Sequence, residues 1–348
     1  MNDATRNNFD LIRLFAASQV AISHITSHLG VESSILGVLS LFPGVPIFFF
    51  VSGYLIYSSY EQSNKNPNPN TNTNLNFFVK RFLRLFPALW LCFVLSILSV
   101  WASGYLSEVD FSISDFAIWV ITQNTIFQFY NPDFMRGYGV GVINGSLWTI
   151  SVELQFYILT PFLFLLLNKL RSHYVILVLL FLVVANAYNT LNEGLNVYQK
   201  LLNVSFAPWL YMFMLGSLAY KYSSLVSVVK RINFIIFLVL FVVSYFVTKD
   251  YGWGNDINPI SYLLLAALVL KAAYTKPSLS DALLKKNDIS YGIYIFHMPI
   301  VNYLMYQGVM GVNGLVLAAI ATLVVSILSW FYYEKRILAL KKSALRKN

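Results

Sequence analysis

Two ionisable side chains, Arg13 and His24, stand eleven positions apart in LIRLFAASQVAISH, Leu11 to His24, where the other side chains are apolar, small or uncharged. In a helix, eleven residues at about 100° each end roughly 20° past three full turns, with ~16 Å of rise. The guanidinium and the imidazole then share one face at two depths. A charge in an apolar helix usually faces a polar cavity or a substrate path, and an imidazole there can serve as a general base. The plainer alternatives are a snorkelling anchor for Arg13 and an interhelical hydrogen bond for His24.

Other apolar stretches carry their own candidates. Glu153, in NGSLWTISVELQFY from Asn144 to Tyr157, falls at a depth comparable with His24; a carboxylate there would hold the imidazole's tautomer and raise its basicity. Ser146 reads as the N-cap of that helix. In FFVKRFLRLFPALW, Arg81 and Arg84 are three residues apart and precede Pro87, so on one helix face they could clamp phosphates, or anchor the chain at the membrane surface. Ser52 and Gly53 form a small pair within GVPIFFFVSGYLIY, suited to close packing or to a cavity wall. Tyr291, Tyr294 and His297 recur every third residue in ISYGIYIFHMPI and could line the same cavity. The single cysteine, Cys92, reads as an inert buried thiol, and His28, His173 and Lys271 as ordinary residues.

The elements that must position these groups follow from composition. Of 348 residues, 57% are hydrophobic and only 11% charged, and the mean hydropathy is +0.63, whereas soluble domains are roughly 45–50% apolar and ~25% charged. This is the composition of an integral membrane protein. Apolar runs fall near residues 9–29, 36–57, 83–102, 147–167, 174–190, 204–220, 232–248, 259–275, 289–307 and 314–333. They predict an all-α polytopic protein of about ten transmembrane helices in one domain, 1–348. The run Phe116–Tyr130 is shorter and interrupted by Thr122, Gln123 and Asn124, which fits a re-entrant or interfacial piece within the long outer loop 103–145. With ten spans and both termini cytoplasmic, 19 of the 24 Lys and Arg residues fall on the inner side, including the basic tail 334–348. The net charge of +9 is then a topology marker and not a nucleic-acid signal. Residues 63–76, SNKNPNPNTNTNLN, read as a disordered cytoplasmic linker, and Asp3, Arg6, Asp10 and Arg13 leave no basic flank for a cleavable signal peptide. No phosphate loop, HExxH, clustered Cys/His set or GxSxG elbow is present, so no metal is expected.

Five blocks in order, Arg13–x10–His24, FFFVSGYLI, KRFLRLFP, SLWTISVE and ISYGIYIFHMP, make the chain resemble the acyltransferase-3 family of membrane acyltransferases over Leu11 to Pro299. The departures, Phe86, Thr149, Phe296 and Met298, remove no ionisable position. The resemblance implies transfer of an acyl group, usually acetyl from cytoplasmic acetyl-CoA, to a hydroxyl of an envelope carbohydrate such as O-antigen or exopolysaccharide, at the bacterial inner membrane. It further implies the stand-alone form, without an extra esterase-like domain. On this reading His24 is the base, oriented by Glu153; Arg13 steadies the donor; Arg81 and Arg84 bind its phosphates; Ser52, Tyr291, Tyr294 and His297 line the cavity. A proton-coupled transporter or flippase of envelope precursors would use the same intramembrane charges.

Overall fold

The computed structural model describes residues 7–65, 73–191, 196–252 and 254–339. Among them the chain is helical, in the order α1 Phe9–His28, α2 Ser34–Leu39, α3 Gly44–Lys65, α4 Thr73–Ala102, α5 Ile113–Gln123, α6 Trp148–Lys169, α7 Ser172–Leu191, α8 Val197–Asn203, α9 Leu210–Lys221, α10 Ser223–Arg231, α11 Phe234–Thr248, α12 Pro259–Tyr274, α13 Leu279–Leu284, α14 Ser290–Tyr306 and α15 Gly311–Ser329, with a π-helical turn at Trp330–Glu334.

Each of the ten predicted stretches holds a helix. Six helices among the described residues are long and apolar enough to cross a bilayer: α3, α4, α6, α7, α11 and α15, some with flanking residues. The α9 helix is only 12 residues, about 18 Å, against a hydrocarbon core of about 30 Å. Its start is set by Pro208, which disfavours helix at Ala207, and its end by an 87° break into α10. The apolar run 204–220 passes through Pro208 and ends at the break. Helices α7 and α11 turn large apolar side chains outward, with Phe181 70% and Phe246 65% exposed. Water would penalise such surfaces and lipid does not, so the chain is a multi-pass membrane protein.

The predicted linker 63–76 is helical at both of its described ends. Helix α3 continues to Lys65, where Ser63 and Asn64 bond back to the carbonyls of Ser59 and Tyr60, and α4 begins at Thr73 with Asn74 accepting from the Tyr60 hydroxyl at 2.7 Å. Local side-chain bonds thus hold the flanks as helix; residues 66–72 lie outside the described residues, as do 340–348 of the basic tail.

The chain divides into two compact units, one of Met1–Ala16, Val38–Phe77 and Val152–Asn287, the other of Ala17–Gly37, Phe78–Ser151 and Asp288–Asn348. In the first, α3 and α9 meet backbone to backbone: a Cβ added at Gly53 would collide with the Phe213 carbonyl, and one at Gly216 with that of Phe50. The Ser217 hydroxyl donates to the Gly53 carbonyl across this contact at 3.2 Å. Ser52, beside it, is half-buried. Asn8 closes the end of α12, its amide donating to Thr275 O at 2.7 Å and its carbonyl accepting from Ser280 N at 3.0 Å.

In the second unit, residues 103–145 share a small core with Phe93 and Val100 of α4, in which Trp119, Met135 and Tyr138 are fully buried. The α5 helix within it is 11 residues, about 16 Å, and starts at Ser112, whose hydroxyl accepts from Asp115 N. Fully buried Asn302 of α14 fastens this segment, accepting from Val140 N at 2.8 Å and donating to Val142 O and Ile143 O at 2.9 Å. Gly139, at φ +55°, takes the left-handed conformation this contact needs, and a Cβ there would strike the Asn302 side chain.

The glycine crossing gives a direct test. Gly53→Ala and Gly216→Ala are each expected to lose about 1–3 kcal/mol of stability through overpacking. Gly37→Ala, in α2 with nothing within 4 Å of the added Cβ, should lose no stability and gain up to about 1 kcal/mol. Thermal denaturation of the detergent-purified protein reads the difference.

Candidate active site

The second unit brings two of the predicted site residues into contact. Nδ1 of His24 lies 2.9 Å from Nε2 of His297, with the rings tilted by 31°. His297 is fully buried, His24 half-buried, and Nδ1 of His297 lies 3.1 Å from the Ile293 carbonyl one turn back along α14. The His24 ring thus has a second imidazole as a hydrogen-bond partner.

What fixes His297 is the way α14 is held. Pro299 has no N–H, so the carbonyl of Ile295 loses its partner four residues on. Asn144 Nδ2 donates to it at 2.7 Å and Cys92 Sγ at 3.2 Å. Cys92 is thus a buried packing thiol with a structural hydrogen bond. One residue earlier, the Tyr294 hydroxyl pairs with Thr149 Oγ1 at 2.6 Å and donates to Ser146 O at 3.2 Å. Ser146 does not cap its helix as predicted: its hydroxyl bonds Asn144 Oδ1 at 2.7 Å and Tyr294 O at 3.3 Å, while the Asn144 side chain accepts from Ser146 N. Tyr291 donates to Leu85 O of α4 at 3.1 Å. Tyr291, Tyr294 and His297 are all buried, the two tyrosines as ties and His297 as the partner of His24.

At the other end of α14, Arg84 forms an ion pair with Oδ2 of Asp288 and lies 5.9 Å from the ring centre of Trp330. Oδ1 of the same carboxylate accepts from Ser290 N at 3.1 Å, at the first turn of α14. Glu334, buried in the π turn, accepts from Ser329 at 2.8 Å. Arg81 is half-buried on the same helix as Arg84. Asn144, Asp288 and Asn302 were not singled out in the sequence; for Asn144 alone a signal existed, the missing N–H of Pro299, which calls for a donor elsewhere in the fold.

Arg13 and Glu153 belong to the first unit. Arg13 is half-buried on α1, and Glu153 on α6 accepts a 2.5 Å hydrogen bond from the Tyr157 hydroxyl one turn on. A separate apolar cavity of about 530 Å³ between α4, α14 and α15 is lined by Phe296, Pro299, Ile300 and Tyr303 among others. That face of α14 lies roughly 100° around the helix from His297.

The sequence matches the model of the acyltransferase domain family over residues 6–334, and the chain belongs to that family. Nodulation protein 10 of Rhizobium leguminosarum bv. viciae is 32% identical, covering 97% of this chain and 95% of its own. The O-acetyl transferase of Shigella phage Sf6 is 29% identical over 95% of this chain and 96% of its own. The putative peptidoglycan O-acetyltransferase YrhL of Bacillus subtilis (strain 168) is 26% identical over 94% of this chain and 54% of its own. No solved structure matches.

The Arg84–Asp288 pair makes a measurable statement about α14. In a double-mutant cycle with Arg84→Ala and Asp288→Ala, thermal denaturation should show a coupling of roughly 1–3 kcal/mol between the two positions. Independent effects would mean that the pair does not hold the helix start.

Proposed function

We propose that this chain is an O-acetyltransferase that moves acetyl from cytoplasmic acetyl-CoA to a hydroxyl of an envelope carbohydrate, such as O-antigen or exopolysaccharide, in the bacterial inner membrane. The carrying observation is the half-buried His24 imidazole, held by one ring nitrogen against His297 in a chain whose family match spans residues 6–334. The names of two relatives, an O-acetyl transferase and a putative peptidoglycan O-acetyltransferase, support acetyl and a glycan acceptor. The bias of basic residues supports ten spans with both ends cytoplasmic.

The chemistry follows from an imidazole base. His24 removes the proton from the acceptor hydroxyl as its oxygen attacks the thioester carbon. A C–O bond forms, the C–S bond breaks, and the departing thiolate receives that proton as free CoA. Arg81 meets the donor's phosphates, with Arg84 held by Asp288 as its support on α4. Arg13 steadies the donor from the same helix that carries His24.

The deciding experiment incubates the purified protein with radiolabelled acetyl-CoA and a panel of O-polysaccharide, exopolysaccharide and lipid-linked saccharide. Label should move to a glycan with release of CoA, and His24→Ala should lower transfer by at least about 10²-fold while the protein still inserts and purifies normally. Near-normal turnover by His24→Ala removes the assignment, and glycan movement across vesicles without CoA release would indicate a flippase.

A further inference from the structure

We infer that His297 is a positioning residue that sets the tautomer of His24, so that the atom removing the acceptor's proton is Nε2 of His24. The inference rests on the acetyltransferase reading only for what that nitrogen does; the tautomers follow from the contacts alone. A carbonyl oxygen accepts and cannot donate. Nδ1 of His297, 3.1 Å from the Ile293 carbonyl, is therefore the nitrogen that carries the proton of the neutral ring. Its Nε2 is then an acceptor. At 2.9 Å from that lone pair, Nδ1 of His24 must be the donor, which leaves Nε2 of His24 with a lone pair and without a proton. The chain of donors runs one way, from His24 to His297 to the backbone of α14.

The opposite assignment, with His297 donating to His24, would set the bare Nδ1 of His297 against a carbonyl lone pair. Two acceptors would face each other in a fully buried place, leaving that Nδ1 without a donor. The anchoring carbonyl cannot slide to relieve this, because the next two residues of α14 are tied through their own groups: Tyr294 to Thr149 and Ser146, and Ile295 to Asn144 and Cys92. Rigid backbone thus selects a tautomer two imidazoles away. The role is one that a hydrogen-bond acceptor at the position of Nε2 could fill, and that an apolar group of similar size could not.

Two measurements test this on the full chain. Nitrogen-15 spectra of histidine-labelled protein in bilayers, with assignments from His24→Ala and His297→Gln, should show both rings protonated at Nδ1; protonation of His24 at Nε2 overturns the inference. With acetyl-CoA and the glycan panel above, His297→Leu should lower kcat by about 10²- to 10³-fold and leave KM for acetyl-CoA within about twofold. His297→Gln, whose amide oxygen can accept from His24, should recover to within about tenfold of the unsubstituted protein. Equal loss in the two variants, or a loss confined to KM, rejects the positioning role. Should His24→Ala retain transfer while the spectra show the expected tautomers, the acetyltransferase mechanism fails and the hydrogen-bond chain stands.

Discussion

A single missing N–H governs the arrangement of the second unit. Pro299 leaves the carbonyl of Ile295 without a helical donor, and a buried unsatisfied carbonyl costs roughly 1–3 kcal/mol. Asn144 and Cys92 supply the donors, from the segment before α6 and from α4 respectively. Because the carbonyl lies two residues before His297, satisfying it also fixes the imidazole. Asn302, five residues past His297, does the same for the 139–143 backbone. The α14 helix is pinned on both sides of the histidine, and Asp288, paired with Arg84, holds its first turn. A helix secured by such directional contacts offers little rotational freedom, as a catalytic group must have if it is to keep a hydrogen bond within a few tenths of an ångström.

Most of the helical architecture was legible in hydropathy. Every predicted apolar stretch holds a helix, because a run of about twenty apolar residues has few other ways to satisfy its backbone in lipid. What hydropathy misjudges here is where a helix begins. It runs through Pro208, which does not interrupt the apolar composition, whereas α9 starts only at Leu210. Hydropathy is silent on the order within residues 103–145, where asparagine and glutamine side chains cap carbonyls across the loop. Asn131 donates to Gly141 O at 2.7 Å and Gln123 to Tyr130 O at 2.7 Å. Such bonds pair particular residues across a loop, and no periodicity announces them.

The site was legible as a set of residues and not as a set of partners. Position along a membrane helix gives depth, and depth alone ranked Glu153 beside His24. It is a one-dimensional coordinate, blind to which helices are neighbours and which way each is turned. His297 was picked out through its three-residue rhythm with Tyr291 and Tyr294, but that rhythm predicts a shared face, not the contact with His24. Arg84 carried the opposite difficulty. A basic cluster at a membrane boundary has two ordinary uses, anchoring and phosphate binding, and the partner that sorts them, Asp288, is more than two hundred residues away in sequence.

An imidazole partner also suits the surroundings better than a carboxylate would. A base oriented by an ionised carboxyl keeps a charge at the heart of the bundle through the resting state, and an apolar slab makes that expensive. Two imidazoles ending on a peptide carbonyl keep the resting chain neutral while directing a lone pair outward. On the proposed mechanism the proton would arrive only when the acceptor hydroxyl is attacking, and the positive charge would then appear beside the negative oxygen that develops on the thioester. Charge is present only where it is paired, which is the condition under which a low-dielectric site strengthens an electrostatic interaction instead of opposing it. The arrangement depends on backbone rigidity because a carbonyl, unlike a carboxylate, cannot follow the ring by rotating. On the proposed mechanism the ties to Tyr294, Ile295 and Asn302 would then belong to the catalytic geometry as much as to the fold.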